Sequence, residues 1–311
     1  MFAPIRAIDI VEDMSVADLV SGFSGCAFGA GRVATACEIY REMLEDSDCL
    51  VFFGLAGAMV PAGMRKVVSS EIKAGNIDVL VTTGANIVHD VIEAIGLPHL
   101  KGTEVVDDVK LYKNKINRIY DVFLPESYFS NLEEWLQGEV FPNLPQAVSI
   151  RELCSAIGER LEDPHSILKC AFDAEVPVFC PAVQDSIIGL QAWLYKQSNS
   201  FTIDALADMQ ELIDLCYEAK HAGAFFVGGG VPKNFILQSM LLTPKDFDYA
   251  IQLTMDRPET GGLSGATLDE ARSWGKIGEN AKSVTVYSDA TITLPLIVAA
   301  AKDGGKRVPT I

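Results

Sequence analysis

A lysine near the C-terminal end of the sequence has the surroundings of a reactive amine. Lys276 follows Trp274 and Gly275 in the stretch SWGKI, where a short helical segment ends. A free lysine has a pKa of about 10.4, so at neutral pH it is protonated and is not a nucleophile. Burial beside an apolar group such as the indole lowers that pKa, and a neutral amine can form an imine. Residue types alone leave open a plainer interpretation, in which Lys276 is a solvated charge at a helix end.

Two acidic residues nearby could take part in the same chemistry or serve only as helix caps. Glu270 and Thr267 have the spacing of a capping box, so a structural role is at least as well supported as a catalytic one. Asp289 follows an apolar stretch and precedes the last predicted helix, which is the position of an N-cap. The free N–H groups at such a helix start would equally suit an anionic ligand.

Glycines mark a second candidate site. Gly228, Gly229 and Gly230 directly follow the apolar stretch AFFV, so the chain can turn tightly there and offer N–H groups to a phosphate or ribose. A plain tight turn is the alternative. The stretch GAGRVA at 29–34 matches a dinucleotide-binding fingerprint in its letters, but no strand precedes it. We therefore predict that this stretch is the glycine-rich start of a helix.

The elements that must position these residues alternate between apolar strands and helices. This alternation indicates an α/β fold with a parallel sheet that is covered by helices on both faces. Ligands of such sheets bind beyond the carboxyl ends of the strands. The polar stretch 101–150 is predicted to be an excursion from the sheet, and one domain is predicted for residues 1–311. The predicted strands are 49–54, 77–84, 176–180, 224–230, 249–254 and 284–289, and the predicted helices include 31–44, 61–75, 85–96, 205–223 and 291–302.

The composition narrows the classes of function. The 42 acidic residues exceed the 25 basic ones and give a net charge of −17, which argues against nucleic-acid binding. That charge either serves solubility or attracts cationic substrates. The seven cysteines are scattered and the four histidines are not spaced with them as ligands, so we expect reduced thiols and no metal site. No apolar stretch has the length of a membrane span and no signal sequence is evident, so we expect a soluble cytoplasmic protein.

Several of these stretches together resemble the deoxyhypusine synthase family. They are SGATLDEARSWGKI, VYSDATITLPLIVA, GGGVPKN, VPVFCPAVQD and IDVLVTTGAN, and the similarity runs from about residue 14 to residue 301. SWGKI and VYSDAT are quite specific to that family.

The resemblance implies a Rossmann-like fold, a homotetramer and NAD bound at subunit interfaces. In this family NAD oxidises spermidine, and the aminobutyl group passes to an enzyme lysine and then to a lysine of a translation initiation factor, which becomes deoxyhypusine. By motif position Lys276 would carry the aminobutyl group, with Trp274 and Glu270 beside the polyamine. The resemblance also places substrate contacts at His89 and Asn234, and NAD contacts at Thr83, Asp185, Gly228, Gly229, Ser288 and Asp289.

Other positions depart from the usual pattern of the family. Leu190 and Leu263 stand where the family usually has acids, Asn234 and Phe235 stand where it commonly has two histidines, and His89 stands in place of a glutamate. A buried ammonium without a carboxylate partner is strongly disfavoured, so spermidine should bind less well in the usual pose. Two alternatives to a true deoxyhypusine synthase follow. One is a related enzyme that makes a small polyamine from another amine donor or acceptor, and the other is a non-catalytic NAD-binding tetramer.

Restoring the two acids tests this explanation of the divergence. The double variant Leu190→Asp with Leu263→Asp should turn over spermidine faster than the wild type, because each carboxylate could again pair with an ammonium group. Steady-state kinetics with spermidine measure the change. Unchanged kinetics in the double variant would mean that the lost acids do not explain the divergence.

Overall fold

The computed structural model describes residues 3–302, which form two compact units. The first unit comprises residues 3–56, 74–81 and 209–302, and the second comprises residues 57–73 and 82–208. Because both units are assembled from separated stretches of chain, no linker in the sequence marks the boundary between them. The single domain expected over residues 1–311 stays a prediction.

Helices and strands alternate along most of the described chain. The strands are β1 (Cys49–Leu55), β2 (Val79–Thr82), β3 (Leu100–Lys101), β4 (Ile116–Ile119), β5 (Val122–Pro125), β6 (Ala147–Ser149), β7 (Val178–Phe179), β8 (Thr202–Asp204), β9 (His221–Val227), β10 (Phe247–Thr254) and β11 (Ile277–Tyr287). The α-helices are α1 (Val16–Gly22), α2 (Phe28–Glu45), α3 (Arg65–Lys73), α4 (Gly84–Ala94), α5 (Asp108–Lys113), α6 (Ser127–Trp135), α7 (Ile150–Arg160), α8 (Ile167–Asp173), α9 (Ile187–Lys196), α10 (Ala207–Glu218), α11 (Gly230–Met240), α12 (Leu268–Ser273) and α13 (Ala290–Ala301).

Five strands of a parallel sheet lie in the first unit, in the order β11-β10-β9-β1-β2. β1 runs parallel to β9, from Cys49 opposite His221 to Leu55 opposite Val227. Both strands are almost wholly buried, and α2, α11, α12 and α13 pack against strands of this sheet. A sheet covered by helices needs apolar residues on both faces, which is why these strands read as continuous apolar runs. The predicted α/β fold with a helix-covered parallel sheet is confirmed.

Phenylalanine rings from β1, β9 and β10 fill the core on both sides of this sheet. The ring centroids of Phe53 and Phe225 lie 5.2 Å apart, and those of Phe52 and Phe247 lie 5.5 Å apart. All four side chains are at most 1% exposed. Because adjacent residues of a strand point to opposite faces, Phe52 and Phe53 anchor β1 from both sides. Each buried ring contributes about 1.5–3 kcal/mol of transfer free energy.

Two element boundaries differ most from the sequence-based prediction. The helix expected to reach residue 223 ends at Glu218, because the chain from His221 onward pairs with β1. β11 begins at Ile277 rather than at 284, in a polar stretch that the apolar pattern missed. This strand lies at the end of the strand order, and an edge strand tolerates polar residues because one side of it faces away from the sheet. Residues 29–34 lie inside α2, so the prediction of a glycine-rich helix start is confirmed.

The second unit contains shorter strands between its helices. β3, β5 and β4 form an antiparallel sheet in that order, and β6 pairs with β8 in parallel. Strands β4 and β5 of the antiparallel sheet lie within the polar stretch 101–150. In the described part of the chain, no helix combines the length and the apolarity that a membrane span needs.

A buried aspartate joins separate segments of the second unit. Asp90 is 1% exposed, and its Oδ1 accepts hydrogen bonds from Arg65 Nε (2.6 Å) and from the backbone N–H of Ile167 (3.0 Å). Its Oδ2 accepts from the Ser166 hydroxyl (2.7 Å) and from the backbone N–H of Leu168 (3.0 Å). One carboxylate therefore both neutralises a buried guanidinium and satisfies the first N–H groups of α8.

Replacing this aspartate should destabilise the protein strongly. We expect Asp90→Asn to lower the free energy of unfolding by about 3–5 kcal/mol, because the buried Arg65 loses one of its two carboxylate partners at 2.6 Å and the more deeply buried of them. The matched control is Asp108→Asn, which removes an exposed ion pair with Arg118 and should cost at most about 1 kcal/mol. Urea unfolding followed by circular dichroism measures both. Equal effects of the two variants would contradict the role given to Asp90.

Candidate active site

A Schellman motif sets the position of Lys276. Helix α12 ends with Trp274 as its C-cap, and Gly275 follows with a φ of 67°. The Gly275 N–H donates to the Arg272 carbonyl (2.9 Å), and the Lys276 N–H donates to the Ala271 carbonyl (3.0 Å). The left-handed conformation of residue 275 favours glycine, which explains the glycine between the tryptophan and the lysine. The lysine therefore leaves the helix at a fixed point, directly before β11.

Lys276 lies half-buried on the wall of a pocket of 430 Å³ in the first unit. Burial lowers the pKa of its amine, because the charged form loses hydration. Its Nζ lies 5.6 Å from the centroid of the Trp274 ring, a cation–π distance that favours the ammonium. The indole is also 68% exposed, so it is not the desolvating wall that the sequence suggested. The apolar part of the wall consists of Leu237, Leu241, Leu263, Ala266 and Ala271.

The same pocket brings together Lys276, Trp274, Glu270 and Asn234, four of the residues that the sequence singled out. Glu270 is exposed and lies in the first turn of α12. Thr267 caps that helix and accepts a hydrogen bond from the Glu270 N–H (3.0 Å), so this half of the predicted capping box is present. Glu270 thus belongs to a capped helix turn and also presents a carboxylate to the pocket.

Sequence reasoning missed a second lysine in this pocket. Lys233 is 4% exposed, and its Nζ donates to Gln252 Oε1 (2.9 Å), to the Leu263 carbonyl (3.4 Å) and to the Ala266 carbonyl. Its pKa is lowered to about 8, first by burial and further by the positive charge of Lys276, while Glu270 opposes the shift. The signal was present in the spacing, since Lys233 stands on the face of α11 that also buries Ile236, Leu237 and Met240.

The glycine turn is attached to the pocket by a buried amide. Gln252 is fully buried in β10, and its Nε2 donates to the carbonyls of Gly228 (3.1 Å) and Ser264 (2.9 Å). Gly228 has a φ of 77°, which favours glycine. A Cβ on Gly229 would lie 2.3 Å from the Ser264 Cα, so only glycine allows this approach. Gly229 is the N-cap of α11 and has no side chain to cap that helix.

Ser288 and Asp289 lie between β11 and α13 in the first unit. Asp289 Oδ1 accepts a hydrogen bond from the Thr291 N–H (2.8 Å), so this aspartate is the N-cap that its sequence position suggested. The Ser288 hydroxyl lies 2.9 Å from the Thr293 hydroxyl. The capping geometry accounts for Asp289 without a ligand, and its contact with NAD stays a prediction.

The remaining predicted site residues lie in the second unit. His89 and Asp185 line a separate pocket of 740 Å³, together with side chains from the hairpin of β4 and β5. Thr83 caps α4 through a hydrogen bond from the Asn86 N–H (3.4 Å). Leu190, the other departure from the family pattern, is 47% exposed in α9.

Comparison with known proteins identifies the class of protein. The family model of deoxyhypusine synthase matches residues 18–301. The probable deoxyhypusine synthase 1 of Methanosarcina acetivorans is 62% identical over 300 residues, which cover 96% of this chain and 94% of that protein. The probable deoxyhypusine synthase 2 of the same organism is 39% identical over 310 residues, which cover 96% of this chain and 89% of that protein.

A solved structure agrees at the level of the fold. The crystal structure of an Entamoeba histolytica protein described as a deoxyhypusine synthase matches with a TM-score of 0.70 at 18% sequence identity, covering 99% of this chain and 100% of that one. The chain is therefore an enzyme of the transferase class. It belongs to the deoxyhypusine synthase family, whose reaction transfers the aminobutyl group of spermidine.

The lowered pKa of Lys276 predicts how it reacts with amine-directed reagents. In competitive acetylation across a pH series, the labelling midpoint of Lys276 should fall below that of Lys220, because only the neutral amine reacts. Lys220 is a suitable reference, since its hydrogen bond to Asp48 (2.8 Å) raises its pKa. Quantitative mass spectrometry of the labelled peptides gives both midpoints. A Lys276 midpoint at or above that of Lys220 would contradict the burial effect.

Proposed function

We propose that this protein is an NAD-dependent aminoalkyl transferase in which Lys276 is the temporary covalent carrier of the transferred group. The observation that supports this most strongly is the half-buried Lys276 amine, whose pKa is lowered, on the wall of a pocket of 430 Å³. A lysine needs to be neutral to attack a carbon atom, and partial burial raises the neutral fraction.

The transfer consists of two exchanges of amine on one carbon atom. The Nζ of Lys276 attacks the imine carbon of the oxidised donor, a carbon–nitrogen bond forms, and the bond to the departing amine of the donor breaks. The group then remains on Lys276 as an imine until the acceptor amine attacks the same carbon and releases the lysine. Dividing one displacement into two exchanges lowers the barrier of each. Glu270 is placed in the pocket to pair with the cationic end of the amine.

The glycine turn after β9 fits the phosphate groups of NAD. Gly229 leaves the first N–H groups of α11 without a side-chain cap, and an added Cβ on Gly230 would meet open space. Helix starts of this kind bind phosphate through free N–H groups. Bound NAD would supply the hydride acceptor for the donor amine and, once reduced, the hydride for the product. Thr83, Asp185, Ser288 and Asp289 are the other residues that we assign to the cofactor.

A related enzyme that uses another amine is the second candidate. Leu237, Leu241 and Leu263 give the pocket an apolar wall, and Asn234 carries no charge. Such a pocket suits an amine that carries less charge than spermidine, because each unpaired buried ammonium is costly. Methanosarcina acetivorans also has two family members, of which the one numbered 1 is far more similar to this chain. On this reading the acceptor is a small amine, whereas a true deoxyhypusine synthase uses the lysine of a translation initiation factor.

The proposal includes the assembly and location that the family implies. The protein forms a homotetramer in the cytoplasm and contacts neither nucleic acid nor membrane. A non-catalytic tetramer that only binds NAD is distinguished by its chemistry, because it would form neither NADH nor a transferred product with any amine.

Transfer of a labelled group tests the proposed function. Wild-type protein is incubated with NAD, a radiolabelled donor such as spermidine or putrescine, and acceptor amines including the initiation factor. Lys276→Arg should lose transfer by about 10³-fold or more, because a guanidinium stays charged and forms no imine. The matched control is Lys282→Arg, since Lys282 is bound to Glu42 outside the pocket. Transfer at the wild-type rate by Lys276→Arg would rule out the carrier role.

A further inference from the structure

Three ionisable side chains in the second unit form a hydrogen-bonded chain that the proposed transfer does not use. Glu93 Oε1 lies 2.6 Å from His99 Nδ1, and His99 Nε2 lies 2.9 Å from His89 Nδ1. The His99 side chain is 6% exposed, and His89 is 8% exposed. His89 lines the pocket of 740 Å³, so the chain runs from a carboxylate in α4 to an imidazole at a cavity wall.

The order of the groups fixes where the protons lie. Carboxylate oxygen accepts, so His99 Nδ1 carries hydrogen. In neutral His99 the Nε2 atom is then bare and accepts from the Nδ1–H of His89. The remaining nitrogen of His89, Nε2, is left without a proton. His89 is thereby held as a neutral imidazole whose Nε2 atom is free to accept a proton. In other acid–base sites, too, a second group fixes which nitrogen of a histidine carries the proton.

We infer that Glu93, His99 and His89 form a proton relay that opens into this pocket and removes a proton from the cationic donor amine there, a step that precedes the attack of Lys276 on the oxidised donor. The inference rests on the proposed function, since an ammonium has no lone pair with which to expel a hydride. In the proton transfer, the amine N–H proton moves to His89 Nε2 and the His89 Nδ1 proton moves to His99 Nε2. The amine becomes neutral, and the positive charge ends on His99 beside Glu93.

The relay avoids placing the charge on His89 itself. Burial, together with the nearby His99, lowers the pKa of His89 to about 4, although Glu93 acts in the other direction. An imidazolium at His89 would therefore be costly, whereas at His99 it meets a carboxylate at 2.6 Å. The second oxygen of Glu93 lies 3.6 Å from Arg65 Nη1, which holds the carboxylate in place.

Other charged groups near the relay are either bound to other partners or line the pocket. Asp90 follows His89 in α4, but its oxygens are taken by Arg65 and by the start of α8. The titratable side chains on the pocket wall are Tyr112, Lys115, Glu126 and Asp185. Two of these are carboxylates, which favours a cationic amine as the ligand.

Histidine NMR tests the relay without any turnover. The chain has four histidines, so ¹⁵N-labelled imidazole signals can be assigned by single substitutions. At neutral pH we expect His89 and His99 both to carry hydrogen on Nδ1. Glu93→Gln keeps the size of the side chain but no longer fixes which nitrogen of His89 and His99 carries hydrogen. His165→Gln changes an exposed histidine and should leave both tautomers as they are in the wild type. A proton on Nε2 of His89 in the wild type would overturn the relay, since that nitrogen could then accept nothing.

Kinetics provide the second test. The His99→Gln side chain can still form a hydrogen bond but cannot pass on a proton. The rate of NADH formation from a cationic amine should therefore fall by about 10²–10⁴-fold, and its pH profile should differ from that of the wild type. His165→Gln should keep the wild-type rate and profile. A His99→Gln enzyme with the wild-type rate and profile would overturn the relay. If wild-type protein forms no NADH with any amine, the proposed function is wrong. The relay is then tested only by the NMR measurement of which nitrogen of His89 and His99 carries hydrogen.

Discussion

The buried ammonium of Lys233 is the interaction on which the candidate site depends. Moving a charge out of water costs several kcal/mol unless hydrogen bonds replace the lost hydration. Gln252 and the carbonyls of Leu263 and Ala266 supply those bonds. They also connect the segment before α12 to the end of β10. The same hydrogen bonds therefore hold the pocket wall in place and stabilise the buried ammonium.

The positive charge of Lys276 in the same pocket acts on this ammonium. It disfavours the charged form of Lys233 and adds to the lowering of the Lys233 pKa by burial. Gln252 extends the network to the Gly228 carbonyl, where the proposed phosphate-binding turn begins. The glycine turn and the segment before α12 are therefore held by one buried polar network. A fully satisfied network of this kind gives a rigid site.

The sequence predicted the sheet and four residues of one pocket, but not the contacts that build that pocket. Continuous apolar strands revealed the parallel sheet, and the specific stretch around Lys276 led to Lys276 and Glu270, which line one pocket. Lys233 was missed because its stretch was interpreted only as a glycine-rich turn. Its helical spacing with the buried Ile236, Leu237 and Met240 in α11 would have predicted that it is buried. Gln252 lies in an apolar strand, where nothing in the local pattern indicates a link to a loop far along the chain. Such contacts arise only from the tertiary fold.

Departures from the family pattern have different physical meanings in the two units. Leu263 and Asn234 reduce the charge available to a polyamine in the pocket of the first unit. In the second unit, His89 is hydrogen-bonded to His99 and through it to Glu93, the chain that we propose as a proton relay. Under the proposed function, both departures suit an amine that carries less charge than spermidine.

The central claim is that the amine of Lys276 carries the transferred group covalently. The most direct measurement is to incubate the protein with NAD and spermidine or putrescine, reduce the mixture with borohydride, and map the modified peptide by mass spectrometry. The account predicts one stable aminoalkyl adduct, located on Lys276. An adduct on Lys233 in the same pocket, or transfer without any lysine adduct, would contradict it.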